Sequence, residues 1–174
     1  MDTPATSDAT LEEARTSVAH RQWDRAHELF SSVAGTGPLG PDDLDRFARA
    51  AYWRGRSDES ISLREAAFAA YLERGDDERA ALCALTLRRE HLANMQDSVA
   101  AAWLKRAEQL LEGRPESFAD TAPADGYLAI AHADAARARG DFARALGLVD
   151  RALRIAESAA ERNLRAWAVM RRGW

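Results

Sequence analysis

The chain has 174 residues, 47% of them hydrophobic, and carries 24 basic against 28 acidic side chains for a net charge of −4. That is enough apolar material for one packed domain. Thirty-eight alanines against eight valines plus isoleucines leave little β-strand material, so an α/β enzyme on a parallel sheet is disfavoured.

Helices are expected in chain order near 8–20, 23–34, 42–54, 58–73, 77–93, 98–112, 124–139, 142–157 and 160–173, since the prolines cluster outside most of these spans. Pro41-Asp42-Asp43 gives the third a rigid start with acid in its first turn, where the helix dipole favours it. Leu44, Phe47, Ala48 and Ala51 then form an i, i+3, i+4, i+7 apolar stripe. Longer loops are expected at Gly35–Gly40 and Gly113–Thr121.

Four of the helices share a spacing of a small residue, then a large one at i+4, then a small or medium one at i+7. They are Ala26/Phe30/Val33, Ser60/Arg64/Ala67, Ala100/Leu104/Ala107 and Ala145/Val149/Ala152. Positions i, i+4 and i+7 lie on one helix face, so small residues there suit close helix–helix contact. Gly55 and Gly140 precede two of these helices as expected C-terminal stops; Arg21-Gln22 and Met95-Gln96 stand in the other two turns, which are less clearly marked. Trp23, Phe30, Trp103, Leu104, Phe142 and Leu146 are read as packing residues of the hairpins.

This pattern resembles the tetratricopeptide repeat. The best match is Ala138-Arg139-Gly140-Asp141-Phe142-Ala143-Arg144-Ala145-Leu146, followed by Arg21 to Ala26 with Phe30 and a closing Pro38. Arg64 departs from the pattern where a large apolar residue is expected, and Arg88 where a small one is. The resemblance implies an all-α solenoid of antiparallel helix-turn-helix repeats in a right-handed superhelix. Repeats fall near 7–40, 41–76, 77–113 and 122–158, with a partial fifth over 160–174. The longer spacings are similar to the repeat regions of bacterial LuxR-type transcriptional regulators. Residues 163–174 read as a first helix without its second, so the expectation is a single domain forming the N-terminal part of a longer protein.

Motifs for chemistry are not found. The four histidines make no metal-ligand spacing, Gly35–Gly40 lacks the strand and the lysine of a phosphate loop, and no nucleophile elbow occurs. No cofactor or metal is expected, and the chain is not read as an enzyme. Cys83 lies in an apolar run and is read as a small core residue; with no second cysteine there is no internal disulfide, which fits a cytoplasmic setting. Met1 to Glu13 shows no basic cluster followed by an apolar stretch, so no secretory leader is expected; nor does any apolar run reach the roughly 18 residues of a membrane span. The mildly acidic balance argues against direct nucleic-acid binding by this segment.

Surface recognition is left. In the repeat register the first helix of each hairpin lines the concave face. There Arg15, Arg49 and Arg89 occupy equivalent points of successive units, Asp134 the fourth, with Tyr52 and Trp53 beside Arg49. Arginine suits bidentate capture of carboxylates and aromatics add stacking area, so a protein or peptide partner with an acidic segment is the expected ligand. The alternative open at this point is that these arginines are solvated, or paired with Asp and Glu of the next hairpin. A second functional class is a free-standing assembly scaffold, a homo-oligomer through the C-terminal helix with Met170 and Trp174 in the contact.

Overall fold

A computed structural model describes residues 4–112 and 122–173. Met1 to Thr3, the expected loop Gly113–Thr121 and Trp174 lie outside the described residues. The described residues are helical hairpins without strands: α1 (Pro4–Ala19), α2 (Trp23–Ala34), α3 (Pro41–Trp53), α4 (Ser57–Glu73), α5 (Asp77–Ala93), α6 (Asp97–Leu111), α7 (Pro123–Ala138), α8 (Phe142–Ser158) and α9 (Arg162–Arg172). They divide into two compact units between Asp76 and Asp77, so α1–α4 form the first and α5–α9 the second.

The hairpin turns share one backbone device. A single residue enters the left-handed region before each second helix: Gly55 and Gly140 at φ 73° and 78°, but also Arg21 and Met95 at 58°. Gly75 and Ala160 do the same, at 69° and 52°, in the turns that follow α4 and α8. Glycine reaches this conformation without cost, whereas a side chain there is disfavoured by about 1–2 kcal/mol. The turns that the sequence marks least clearly therefore have the same geometry as the glycine turns. Tertiary packing holds them in it.

In the first unit α1 packs on α2, α3 on α4, and α3 also touches both helices of the preceding hairpin. Its core is Ala14, Val18, Ala26, Leu29, Phe30, Phe47 and Ala50, with Leu11, Trp23, Leu39 and Leu63 at the margin. The Phe30 and Phe47 rings stack at 5.6 Å. In the second unit α5 packs on α6, α7 on α8, and α9 lies against both α7 and α8. Ile130, Val149, Ile155 and Leu164 join a bed of buried alanines there. Gly126 lets α7 and α9 meet: a Cβ in its place would overlap Leu164 Cδ2 and stand 3.2 Å from Ile155 Cγ2. Alanine abundance thus becomes close interhelical approach, since Ala26, Ala100 and Ala145 are all 5% exposed or less.

Candidate functional site

The first helices of the hairpins (α1 and α3 in one unit, α5, α7 and α9 in the other) carry the residues singled out for recognition. In the first unit their charges are turned on one another. Arg15 donates to Asp43 from Nε at 2.9 Å and from Nη2 at 2.7 Å, and from Nη1 to Glu12 at 3.1 Å. Asp43 also accepts from Arg46 at 3.1 Å. Burial alone would raise the Asp43 pKa; the hydrogen bond and charge of Arg15, then Arg46, outweigh it and hold the carboxyl below its usual 3.8. The Arg15 pKa is raised in turn, chiefly by its hydrogen bond to Asp43.

Asp42 and Asp43 stand in the first turn of α3, as the dipole argument expects, but the dipole is not what occupies them. Asp43 is buried because Arg15 of the preceding hairpin reaches it, while Asp42 accepts from the Tyr71 hydroxyl at 3.0 Å. Arg49 stands half exposed, 3.9 Å from Asp45 one turn before it, and that same Asp45 pairs with the buried Arg64. Arg64 occupies its large-apolar position by this means: the stem fills the space and the guanidinium meets a carboxylate. His27 adds a further tie, with Nε2 2.9 Å from Glu59 Oε2 and its ring edge-on to Phe47 at 5.1 Å. Burial would raise the Glu59 pKa, but His27 and then Arg56 outweigh it and hold the carboxyl below 4.5.

Tyr52 and Trp53, three and four residues after Arg49 on α3, make their ring contacts with other aromatics. Trp53 stacks on Trp23 at 5.8 Å, Tyr52 meets Trp53 edge-on at 5.6 Å, and Arg54 bonds Asp24 at 2.7 Å. Trp23, Trp53, Arg21, Gln22 and Arg25 line an open groove of about 520 Å³ at the turn end of the first unit. Trp53, at the end of α3, thus reaches α2 while remaining 60% exposed.

In the second unit the arrangement is different. Asp134 of α7 receives Arg171 of α9 in a two-pronged pair, Nε to Oδ1 at 2.8 Å and Nη2 to Oδ2 at 3.1 Å. Arg171 also lies over the Trp167 ring at 4.5 Å, and Arg89 of α5 lies over the same ring at 4.9 Å. Arg88, beside Arg89, is half-buried and feels the charges of Asp134 and Arg171. Desolvation dominates there, and its pKa falls below the usual arginine value. Three arginines and a tryptophan thus gather around one aspartate. Residues 77–174 as a whole carry 15 basic against 14 acidic side chains, where residues 1–76 carry 9 against 14.

The structure brings Arg89 and Asp134 into one cluster within the second unit, and it places Arg15 and Arg49 separately among carboxylates in the first. Trp167 and Arg171 were not singled out from the sequence, although their i, i+4 spacing puts them on one helix face and was legible. Among the packing residues, Ala26, Phe30, Phe47, Ala100, Trp103 and Ala145 are buried, and Trp23, Leu44 and Leu104 partly so. Phe142 is not a packing residue: it is 68% exposed, and Leu146 is 49% exposed. Both stand near the open start of α8, where no described ring covers Phe142 as Trp53 covers Trp23. Gly140 is exposed, and its part is the left-handed turn. Cys83 is buried. No helix among the described residues is long and apolar enough to cross a membrane.

No family model matches the chain, and no curated protein matches it. Solved structures do. A variant of a Podosopora anserina repeat protein, described as a kinesin light chain with nearly identical TPR-like repeats, superposes with a TM-score of 0.61 at 21% identity, over 99% of this chain and 89% of that one. BtubC from P. vanneervenii gives 0.58 at 17% identity, over 99% and 83%. MamA gives 0.55 at 13%, over 92% and 90%. At these identities the likeness is one of architecture. The chain has the all-α fold of TPR-like repeat proteins.

Proposed function

We propose that this chain is a non-catalytic binding module that takes a peptide or protein segment along the face of its first helices. The observation that carries this reading is the Trp167 cluster: an aromatic ring and three arginines gathered on that face around one carboxylate. Such groups are enriched where proteins grip partners. The TPR-like architecture of the solved neighbours supports an interaction scaffold in general. On the finer level, the arginine-for-lysine usage and long repeat spacing favour a bacterial, cytoplasmic protein, with this module as the N-terminal regulatory part of a LuxR-type transcriptional regulator. An acidic partner segment follows from the arginines. Direct contact with nucleic acid or membrane is not part of the proposal.

Selection of a displayed peptide library on the immobilised chain tests it. Enriched peptides should lose binding to Arg89→Ala and Trp167→Ala and keep it to Arg144→Ala, on a second helix. Failure to enrich any peptide, or sensitivity only to Arg144→Ala, overturns the reading. The second reading, a self-assembling scaffold, is favoured by Val169 and Met170 of α9, which are 54% and 58% exposed. Light scattering would support it if mass rose with concentration and Met170→Glu abolished the rise.

A further inference from the structure

The groove at the turn end of the first unit takes no part in the Trp167 cluster. Two of its lining residues, Trp23 and Trp53, stack on each other, and Tyr52 meets Trp53 edge-on. Tyr52 and Trp53 are 38% and 60% exposed. At about 520 Å³ the groove has the size of an ordinary ligand cleft, roughly 300–1,000 Å³. Its walls are already tied together. Arg54, just after α3, donates to Asp24 of α2 at 2.7 Å, and Arg25 of α2 donates to Glu13 of α1 at 3.1 and 2.7 Å. The rings are thus held in place, and binding has little left to order.

The polar rim is almost wholly made of donors. Arg21, Arg25, Arg54 and the two indole N–H groups can only donate, and the one lining carboxylate, Asp24, already accepts from Arg54. Gln22 can do both, and its side chain does not cap α2. Among the described residues no side-chain hydrogen bond engages Arg21, Gln22, Trp23 or Trp53. A ligand for this rim brings apolar surface and acceptors, with few donors of its own. A proline-rich segment has that chemistry: proline lacks an N–H, its ring packs on aromatic faces, and a polyproline II helix leaves every carbonyl without an internal partner. An extended strand would bring N–H groups in need of acceptors, and a sugar would need the carboxylate that Arg54 holds. A methylated ammonium would meet three arginines. Single-stranded nucleic acid stacks on such rings, but residues 1–76 carry 9 basic against 14 acidic side chains, a balance that repels a polyanion.

We propose that the Trp23–Trp53 groove is a second docking site, which takes a proline-rich segment of a partner protein in the polyproline II conformation. The five prolines of this chain (Pro4, Pro38, Pro41, Pro115 and Pro123) form no run, so the segment belongs to another protein. Proline rings lie on the two indoles, and Arg21, Gln22 and the indole N–H groups donate to its carbonyls. The site uses nothing of the first-helix face, so it stands or falls independently of the binding-module reading.

The test is calorimetric titration of the whole chain with decaproline blocked at both ends, with a blocked Gly-Ser peptide of equal length, and with oligothymidylate of equal length. Decaproline should bind, and the other two should bind at least about tenfold more weakly. Trp53→Ala should weaken decaproline about tenfold or more, as for loss of an aromatic anchor, and Trp53→Phe should recover part of the affinity. Arg21→Gly should cost about threefold, the worth of one hydrogen bond, and glycine keeps the turn because residue 21 has φ 58°. Trp167→Ala should leave the affinity within about twofold. Circular dichroism confirms that each variant is folded, and the Trp53 indole N–H resonance should shift on addition of decaproline. No binding of decaproline, equal binding of the Gly-Ser peptide, or unchanged affinity in Trp53→Ala each overturns the site. Preferential binding of oligothymidylate assigns the groove to nucleic acid and overturns the proline ligand. A loss in Trp167→Ala with none in Trp53→Ala places the peptide on the first-helix face, which overturns this groove and leaves the binding-module reading standing.

Discussion

Each unit joins two first helices by one two-pronged arginine–aspartate pair, and the two pairs are inverted. In the first, the Asp43 side chain is 6% exposed and Arg15 is 39% exposed; in the second, the Arg171 side chain is 11% exposed and Asp134 is 25%. The buried member decides what the surroundings must supply. A buried aspartate gathers arginines, and the first unit surrounds Asp43 with Arg15 and Arg46 and sets Asp45 between Arg49 and Arg64. A buried arginine needs acceptors; Arg171 takes both oxygens of Asp134 and the face of Trp167, and Arg88 is left without either. The same architecture therefore buries the anion of its pair in one unit and the cation in the other.

The largest test of that contrast is Leu164→Ala. Leu164 is fully buried and packs against Gly126, so truncation should cost about 2–5 kcal/mol, as for other buried leucines. It should also loosen α9, and with it the Asp134–Arg171 pair, so that the amides of α9 lose hydrogen-exchange protection. Retained protection at α9 would show that the pair, not the core, holds this helix.

Next in size is Asp43→Asn, which leaves the Arg15 and Arg46 guanidinium groups without this charged acceptor and should cost about 1–3 kcal/mol by denaturant unfolding. The same pair sets a pH dependence. Asp43 and Glu59 are held below their ordinary values of 3.8 and 4.5 in the folded chain. A carboxyl whose folded pKa is depressed contributes stability above its unfolded pKa and loses it as pH falls through the folded one. Acidification through 4.5 and on below 3.8 should therefore loosen the first unit at Phe47, and Asp43→Asn should flatten that loss. An unchanged acid profile in the variant would assign the effect to other groups.

The hairpins themselves were legible because their signals are local. Pro41 opens α3 where a proline should stand, and Gly55 and Gly140 mark turns that require a positive φ. Arg21 and Met95 adopt the same conformation with nothing in their side chains to announce it. The pairs that define the candidate site were not legible for a related reason. Arg15 and Asp43 are 28 residues apart and Asp134 and Arg171 are 37 apart, so helix period cannot align them; packing does. Phe142 shows the limit of a spacing argument, since a ring at the start of a second helix is buried only if a neighbouring ring covers it, as Trp53 does for Trp23. The turns offer a smaller, symmetric test across both units. Gly55→Ala should destabilise by about 1–2 kcal/mol and Met95→Gly should be neutral or stabilising by up to about 1 kcal/mol. A stabilising Gly55→Ala would deny that the left-handed turn is required there.

The smallest effect on stability is expected at one of two arginines that break the repeat pattern. Arg64 and Arg88 both break the repeat pattern, one where a large apolar residue belongs and one where a small residue belongs. Arg64 is buried against Asp45, so Arg64→Met deprives that carboxylate of its buried cation and should cost about 1–3 kcal/mol. Arg88→Met removes a desolvated charge that no described residue engages by hydrogen bond or ion pair, and it keeps the apolar stem. Its unfolding free energy should lie within about 0.5 kcal/mol of the parent or above it, as for substitutions that break no internal partner. If Arg88→Met destabilised as much as Arg64→Met, the two departures would be alike, both structural.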